Sequence, residues 1–321
     1  MERSNPGESR FDSQGDALLS KSARAIMSRV AGAPISWGVC EVPGWGLQLP
    51  VERVLREMRE VGLDATELGS VGYLPSDPDE LRGTLHDHRL RLVGGFNALA
   101  LADPTRVDDS LEQAERSARV LGAAGASTFV TCIVSDPADW QRPELSPSGW
   151  SHAFSMLDRV GEICASYGLT QVFHPHVDSH VETAEEMQRV LDGSGVAWVL
   201  ETGHMLIGGY NPLQFALDHG DRVRLVHLKD LRSSIAARLN AEELSLMEAV
   251  QAGLFVPLGQ GDVPIAAVVE TLESQGYEGW YVIEQDAAIS SAEPAPGDGP
   301  IRDVEDSVAF LRLLDARLEA S

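Results

Sequence analysis

Short apolar runs alternate with longer amphipathic stretches from about residue 33 to the end of the chain. Each run is only a few residues long, as expected of a strand. The stretches between the runs repeat apolar residues at i, i+3 and i+4, which is typical of helices with one buried face. A chain organised in this way predicts βα units and a parallel sheet.

Eight of the apolar runs are interpreted as strands. They lie at residues 33–38, 64–68, 90–96, 128–134, 171–176, 197–201, 223–228 and 280–285. The predicted helices lie at residues 50–61, 78–88, 109–123, 149–167, 182–191, 211–218, 264–275 and 303–318. Eight strands, each followed by a helix, predict a single-domain α/β fold, the closed (β/α)8 or TIM barrel. No GxGxxG loop of an open dinucleotide-binding sheet occurs.

Two segments depart from this alternation. Residues 1–30 are polar and predict a flexible tail, with a short helix at about Ala17 to Met27, so the predicted barrel domain is 31–321. The segment from Leu231 to Val263 is longer than an ordinary βα loop and contains a helical stretch around residues 241–252. Long loops of this kind often cover an active site.

Composition narrows the class of protein. Hydrophobic residues make up 43% of the 321 residues and charged residues 23%, which is ordinary for a soluble globular protein. The 49 acidic and 25 basic residues give a formal charge of −24, which disfavours nucleic acid as a partner because it repels phosphate. The three distant cysteines, and the lack of a long apolar or export segment, predict a cytoplasmic protein that does not enter a membrane.

Polar side chains end several of the predicted strands, and a barrel gathers strand ends at one mouth. These side chains are Glu67, His174, His176, Glu201, His204, His227, Lys229, Asp230, Glu284 and Asp286. Carboxylates and histidines brought together there would be costly without a cation. We therefore expect a divalent metal site at the mouth. Nitrogen and oxygen ligands suit manganese, cobalt, zinc, iron or nickel, and the absence of thiolate argues against structural zinc.

Several motifs resemble those of inosose dehydratases, which belong to the xylose-isomerase-like barrel superfamily of sugar isomerases and epimerases. The motifs are Pro-Ile-Ser-Trp-Gly at 34–38, Phe-His-Pro-His at 173–176, Val-Glu-Thr at 181–183, Leu-Glu-Thr-Gly-His at 200–204, Val-His-Leu-Lys-Asp at 226–230, Phe-Val-Pro-Leu-Gly-Gln-Gly at 255–261, Gly-Tyr-Glu-Gly-Trp at 276–280 and Glu-Gln-Asp at 284–286. The resemblance extends from about residue 33 to 315.

The resemblance implies a metal held by His174, Glu201, His227 and Glu284. Manganese or cobalt is the preferred metal, with magnesium, zinc, iron and nickel as alternatives. The fifth strand has histidine where isomerases and epimerases usually have Glu, which leaves open whether His174 or His176 is the ligand. The sixth strand has Glu201 where Asp is usual, so its extra methylene has to be absorbed by the backbone or by a shifted metal position.

Groups near the metal are the candidates for acid and base. They are Glu284, provided one oxygen stays free, His176, His204 and Lys229, which could donate to a departing hydroxyl. The candidates for contact with substrate are Trp37, as a stacking wall, Glu67, as a hydrogen-bond partner of hydroxyls, and Asn97.

The expected chemistry begins with a metal that chelates a substrate carbonyl and its neighbouring hydroxyl and stabilises an enediolate. Loss of water would make the protein an inosose dehydratase-like lyase acting on a keto-sugar or cyclitol. Reprotonation would make it an isomerase or epimerase, and a non-catalytic sugar-binding protein is the third alternative. A nuclease of the same fold is disfavoured by the acidic charge. A homo-oligomer, such as a homodimer or homotetramer, would not be surprising for this family.

Overall fold

A computed structural model describes residues 25–320 except positions 41, 139 and 291. Eight parallel strands form a barrel, with each strand hydrogen-bonded to the next and the first to the last. They are β1 Val30–Gly32, β2 Ala65–Thr66, β3 in two parts, Arg91–Leu92 and Phe96–Leu99, β4 Thr128–Ile133, β5 Thr170–Phe173, β6 Ala197–Glu201, β7 Val223–Leu228 and β8 Trp280–Ile283. The predicted TIM barrel is confirmed.

The two parts of β3 are joined by three residues that close the barrel. Val93 donates its N–H to the Thr66 carbonyl on one side, and Val130 donates to the Gly95 carbonyl on the other. A side chain at Gly94 would place its Cβ 2.3 Å from Thr128 Oγ1. Glycine is therefore required where β3 bends against β4.

The eight predicted outer helices are all present. They span Val51–Glu60, Pro78–Asp87, Val107–Ala123, Pro147–Ser166, Ala184–Gly193, Pro212–His219, Ile265–Ser274 and Pro300–Glu319. Capping residues determine where several of these helices begin, which explains small differences from the predicted helix boundaries. The helix predicted from residue 182 begins at Ala184, because Thr183 and Glu186 form a capping box around its first turn.

One apolar side chain from each strand fills the barrel interior. These residues are Ala31, Ala65, Val93, Val130, Val172, Val199, Leu225 and Val282. A second and larger core lies between the sheet and the surrounding helices. The barrel is therefore a packed cylinder whose upper end carries the next inward-facing side chains.

The beginning of the barrel differs from the prediction. Residues 33–38 do not form the first strand, because Pro34–Trp37 is a 3-10 helix that ends at Gly38 with a φ of 82°. The strand β1 precedes it, and before β1 lies another 3-10 helix, Ile26–Arg29, whose Ile26 is buried. The fold thus begins before the predicted boundary at residue 31, while most of the helix predicted near Ala17 to Met27 lies outside the described residues.

The long segment after β7 forms a small structure of its own. It contains an antiparallel ribbon of Asp230–Leu231 and Phe255–Val256 and two helices, Ser233–Asn240 and Leu246–Gln251. The single helical stretch predicted at 241–252 is therefore reduced to its second half. Two further short elements were not predicted, the helix Thr202–Ile207 and the 3-10 turn Gly220–Arg222. Among all helices of the described residues, none has the length and apolar character to cross a membrane.

Candidate metal centre and active site

The polar side chains of the mouth lie immediately above the apolar layer of the barrel interior. His174, Glu201, His227, Glu284 and Glu67 each lie two positions after an interior residue of the same strand. Side chains two positions apart on a strand point to the same face. These five side chains are therefore directed into the upper end of the barrel.

Four of them form one compact cluster. The His227 Nδ1 atom lies 2.6 Å from Glu284 Oε2, 3.3 Å from Glu201 Oε2 and 3.2 Å from His174 Nε2. Each residue offers one potential ligand atom, and the four atoms all lie within 4.8 Å of one another. The structure thus brings together the four residues predicted as metal ligands.

The donor set of this cluster fits a divalent cation. Ligand atoms about 2.1 Å from a cation are about 3.0–3.4 Å apart in octahedral or tetrahedral arrangements, and His227 Nδ1 lies 3.2 Å from His174 Nε2 and 3.3 Å from Glu201 Oε2. The buried Oε2 atoms of Glu201 and Glu284 both face His227 Nδ1, which carries at most one proton and cannot satisfy both oxygens. Buried oxygens in this condition are costly, and a cation between them would remove the cost.

The two histidines of the fifth strand occupy different positions relative to the cluster. His174 joins the cluster, with its Nε2 3.5 Å from Glu201 Oε2. His176 does not, since its Nδ1 lies 2.6 Å from the Val177 carbonyl and its ring centroid lies 4.0 Å from that of His204. His174 is therefore the candidate ligand, and His176 lies beside the centre.

The extra methylene of Glu201 is absorbed by the local backbone. Glu201 caps the helix Thr202–Ile207, and its Oε1 accepts N–H groups of Gly203 at 3.0 Å and His204 at 3.4 Å. The other oxygen faces the cluster. A longer acid at this position thus divides its two oxygens between a helix N-terminus and the centre.

The charged groups of the cluster shift one another's pKa values. Burial disfavours a charged His227, but the carboxylates of Glu284, Glu67 and Glu201 outweigh burial and raise its pKa well above the usual value. Burial also disfavours an ionised Glu284, but the cations of His227 and Lys229 outweigh it and lower the pKa of Glu284 to about 2. The carboxylates that stabilise a proton on His227 would equally stabilise a metal cation.

Lys229 lies next to this cluster and is only 1% exposed. Its Nζ is 2.9 Å from Asp286 Oδ1, 3.5 Å from Glu284 Oε2 and 3.1 Å from His204 Nε2. Burial alone would lower the pKa of Lys229, but the surrounding carboxylates, Asp286 first, raise it above its usual value. Lys229 is thus an ammonium. Asp286 is one of the polar residues at the predicted strand ends, but the sequence pattern does not predict its role.

His176 and His204 are neutral rings. Burial is the largest cause that lowers the pKa of His176 to about 3, and burial likewise lowers the pKa of His204 well below its usual value. The bond from His176 Nδ1 to the Val177 carbonyl requires the proton on Nδ1, so Nε2 of His176 carries the lone pair.

Two predicted substrate contacts do not join the site. Trp37 is fully buried and donates its Nε1–H to Glu57 Oε2 at 3.0 Å. Asn97 donates to the Gly95 carbonyl at 2.8 Å and accepts from Ser117 Oγ on an outer helix. Both side chains are occupied by contacts of the barrel wall.

Aromatic side chains border the mouth near His176. The Phe96 ring lies 5.4 Å from the His174 ring, and Trp140 stacks on Phe96 at 6.2 Å and lies 4.9 Å from the His176 ring. Trp140 belongs to the loop after β4, which Arg142 fastens to Ser179. Trp140 was not predicted as a residue of the mouth, because it lies in a loop that has no periodic pattern.

Comparison with known proteins agrees with this architecture. The profile of the family described as "Xylose isomerase-like TIM barrel" matches residues 55–314. "Inosose dehydratase" of Geobacillus kaustophilus (strain HTA426) is 32% identical over 276 residues, covering 82% of this chain and 89% of that protein. "Rhizopine catabolism protein MocC" of Rhizobium meliloti is 31% identical over 281 residues, covering 84% and 85%.

Solved structures share the fold at lower identity. The 3-keto-D-glucoside 4-epimerase YcjR of E. coli has a TM-score of 0.61 at 18% identity and covers 89% of this chain and 99% of its own. An L-ribulose 3-epimerase has a TM-score of 0.65 at 18% identity and covers 91% and 96%. Because the family profile matches most of the sequence and both relatives exceed 30% identity over more than four fifths of it, the chain belongs to the xylose isomerase-like TIM barrel family.

Proposed function

We propose that this protein is a divalent-metal-dependent lyase that removes water from an inosose or a related keto-sugar. The observation that supports this most directly is the convergence of His174, Glu201, His227 and Glu284 beside the ammonium of Lys229. The relatives named inosose dehydratase support the choice of substrate class.

The four clustered residues would hold the metal, with manganese or cobalt as the first choice. Bound there, a divalent ion supplies a Lewis acid for a substrate carbonyl and its adjacent hydroxyl. The protein supplies the rest, namely orientation, a base for the carbon-bound proton and an acid for the leaving hydroxyl.

His176 is the proposed base. Its Nε2 carries the lone pair because Nδ1 is bonded to the Val177 carbonyl, and the ring is partly exposed at the mouth. Burial and the charges of His174 and Lys229 keep it neutral before reaction. Negative charge that develops on the substrate would raise its pKa as it accepts the proton.

Lys229 is the proposed acid. Its ammonium donates a proton from Nζ to the departing hydroxyl, which leaves as water, while Asp286 keeps the nitrogen in place. His204 lies between acid and base, with its ring centroid 4.0 Å from that of His176 and its Nε2 3.1 Å from Lys229 Nζ. After the elimination His176 releases the accepted proton to solvent at the mouth, and Lys229 takes up a proton in its place.

An isomerase or epimerase is the alternative, and solved epimerases have the same fold. Elimination is favoured by one observation, the buried ammonium beside the cluster. An elimination needs an acid for the leaving hydroxyl, and Lys229 is the only lysine in the described part of the chain.

The test is incubation of the manganese- or cobalt-loaded protein with inososes and keto-sugars, followed by mass spectrometry. A dehydratase yields a product lighter by one water, with new ultraviolet absorbance from a conjugated carbonyl. A product of unchanged mass identifies an isomerase or epimerase. Sugar binding without conversion, unaffected by a chelator, identifies a non-catalytic binding protein.

A further inference from the structure

Glu67 lies on the outer side of the His227 ring. Its Oε1 is 3.2 Å from His227 Nε2, whereas the opposite ring nitrogen, Nδ1, faces Glu201 and Glu284. The two nitrogens of an imidazole point away from each other, so Glu67 contacts the nitrogen that the cluster does not use. Glu67 is accordingly not one of the four residues whose ligand atoms form the cluster.

The barrel wall holds Glu67 in place. The residue directly follows β2, and its N–H donates to the Gly32 carbonyl at 2.9 Å. The next residue, Leu68, donates its N–H to the Gly94 carbonyl at 2.9 Å. The Glu67 side chain is 6% exposed. A carboxylate anchored on both sides in a sheet can fix the orientation of the ring that it contacts.

The two histidines of the cluster differ in the hydrogen-bond partner of the ring nitrogen that faces away from the cluster. The outer nitrogen of His174, Nδ1, is buried and has no hydrogen-bond partner among the described residues. The outer nitrogen of His227 has Glu67. A carboxylate in that position fixes the tautomer of a metal-binding histidine and makes its other nitrogen a stronger ligand.

We propose that Glu67 is a positioning residue of the metal centre. It accepts the Nε2–H of His227, which leaves the lone pair on Nδ1 directed at the centre. This inference rests on the proposed function, which makes His227 a ligand. It replaces the role suggested by the sequence, a contact with substrate hydroxyls.

The experiment measures Co²⁺ binding calorimetrically without substrate. For Glu67→Ala we expect Co²⁺ affinity weaker by about 10–100-fold than in the wild type. For Glu67→Gln we expect most of the affinity to be restored, because the amide oxygen still accepts the Nε2–H. If the alanine variant does not fold, Glu67→Leu replaces it, since it fills the same space without an acceptor.

The matched control is Glu57→Gln. Glu57 is another buried carboxylate, hydrogen-bonded to Trp37 and paired with Arg53, and it contacts none of the four clustered residues. Its Co²⁺ affinity should equal that of the wild type even if its melting temperature falls. The visible absorption of bound Co²⁺ should change in Glu67→Ala and remain wild-type in Glu67→Gln.

Three results would overturn the inference. They are equal Co²⁺ affinity in Glu67→Ala and the wild type, an equal loss in the Glu57 control, and no recovery in Glu67→Gln. If Glu67→Ala binds Co²⁺ as the wild type does but has a raised KM, Glu67 contacts the substrate, as the sequence suggested. A wild-type protein that binds neither Co²⁺ nor Mn²⁺ would instead refute the proposed function, so the two failures are distinguishable.

Discussion

His176 and His204 are both histidines with their rings in contact, yet their hydrogen bonds give them different chemistry. His176 uses one nitrogen on a backbone carbonyl and keeps Nε2 available at the mouth. His204 directs its Nε2 at the ammonium of Lys229. A base needs an accessible lone pair, so only His176 is suited to remove a proton from substrate.

Replacement of His176 by Asn should therefore lower kcat by about 10²–10⁴-fold, the usual contribution of a general base. Metal affinity should be nearly unchanged, because His176 lies outside the cluster. Steady-state kinetics and Co²⁺ titration test this. His88→Asn is the control, since His88 bonds to Thr84 on an outer helix and should leave kcat unaffected. A variant of His176 with wild-type kcat would eliminate it as the base.

Replacement of Lys229 by Met removes the ammonium but keeps a long side chain. We expect kcat to fall by about 10²–10⁴-fold, because the leaving hydroxyl loses its acid. Metal affinity should not weaken, since a cation 3.5 Å from Glu284 has been removed. Single-turnover assays with the metal-loaded variant check the first expectation and calorimetry the second. Elimination at an undiminished rate would show that Lys229 does not act as the acid.

Among the elements, the segment after β7 depends on one buried acid. Asp230 accepts the N–H groups of Leu231 and Val263 on one oxygen and those of Gly259 and Gly261 on the other. A Cβ at Gly261 would lie 2.3 Å from Asp230 Oδ1, so glycine is required for this close approach. The same segment places Phe255 5.0 Å from Lys229 Nζ, which links the loop to the site.

Replacement of Asp230 by Asn should free the loop at 257–263. One amide oxygen cannot accept all four bonds, so we expect a loss of about 1–3 kcal/mol in unfolding free energy and faster proteolysis within the loop. Urea denaturation and limited thermolysin digestion measure the two effects. Asp262→Asn, at an exposed position where the carboxylate accepts only from Ser233, serves as the control and should change stability less. Equal effects in both variants would contradict the anchoring role of Asp230.

The elements also show where sequence patterns succeed. Outer helices were predicted well because their periodicity and caps are local, as at Thr183 and Glu186. The helix Thr202–Ile207 was missed because six residues are too few to show a period. The first strand was predicted at an apolar run whose second residue is proline, and Pro34 starts a 3-10 helix there instead.

For the whole molecule, metal binding should be visible as stability. A ligand that binds only the folded state adds about 2.7 kcal/mol when its free concentration is a hundred times Kd. Mn²⁺ or Co²⁺ should thus raise the Tm of the metal-free protein by several degrees, and a chelator should reverse the increase. Differential scanning calorimetry measures it. The double variant His174→Gln and Glu201→Gln is the control, and an equal shift in that variant would refute the proposed centre.

The sequence alone determined seven of the eight strands, the eight outer helices and the set of polar side chains at the strand ends, because periodicity, caps and strand alternation act over a few residues. Only the tertiary structure decided which of those side chains meet. It directed Phe96 into the mouth and Asn97 away from it, selected His174 over His176, and paired Lys229 with Asp286. It also brought Glu67 to His227 across 160 residues of chain. Such contacts depend on how the barrel closes and on the register of its strands, which no local pattern specifies.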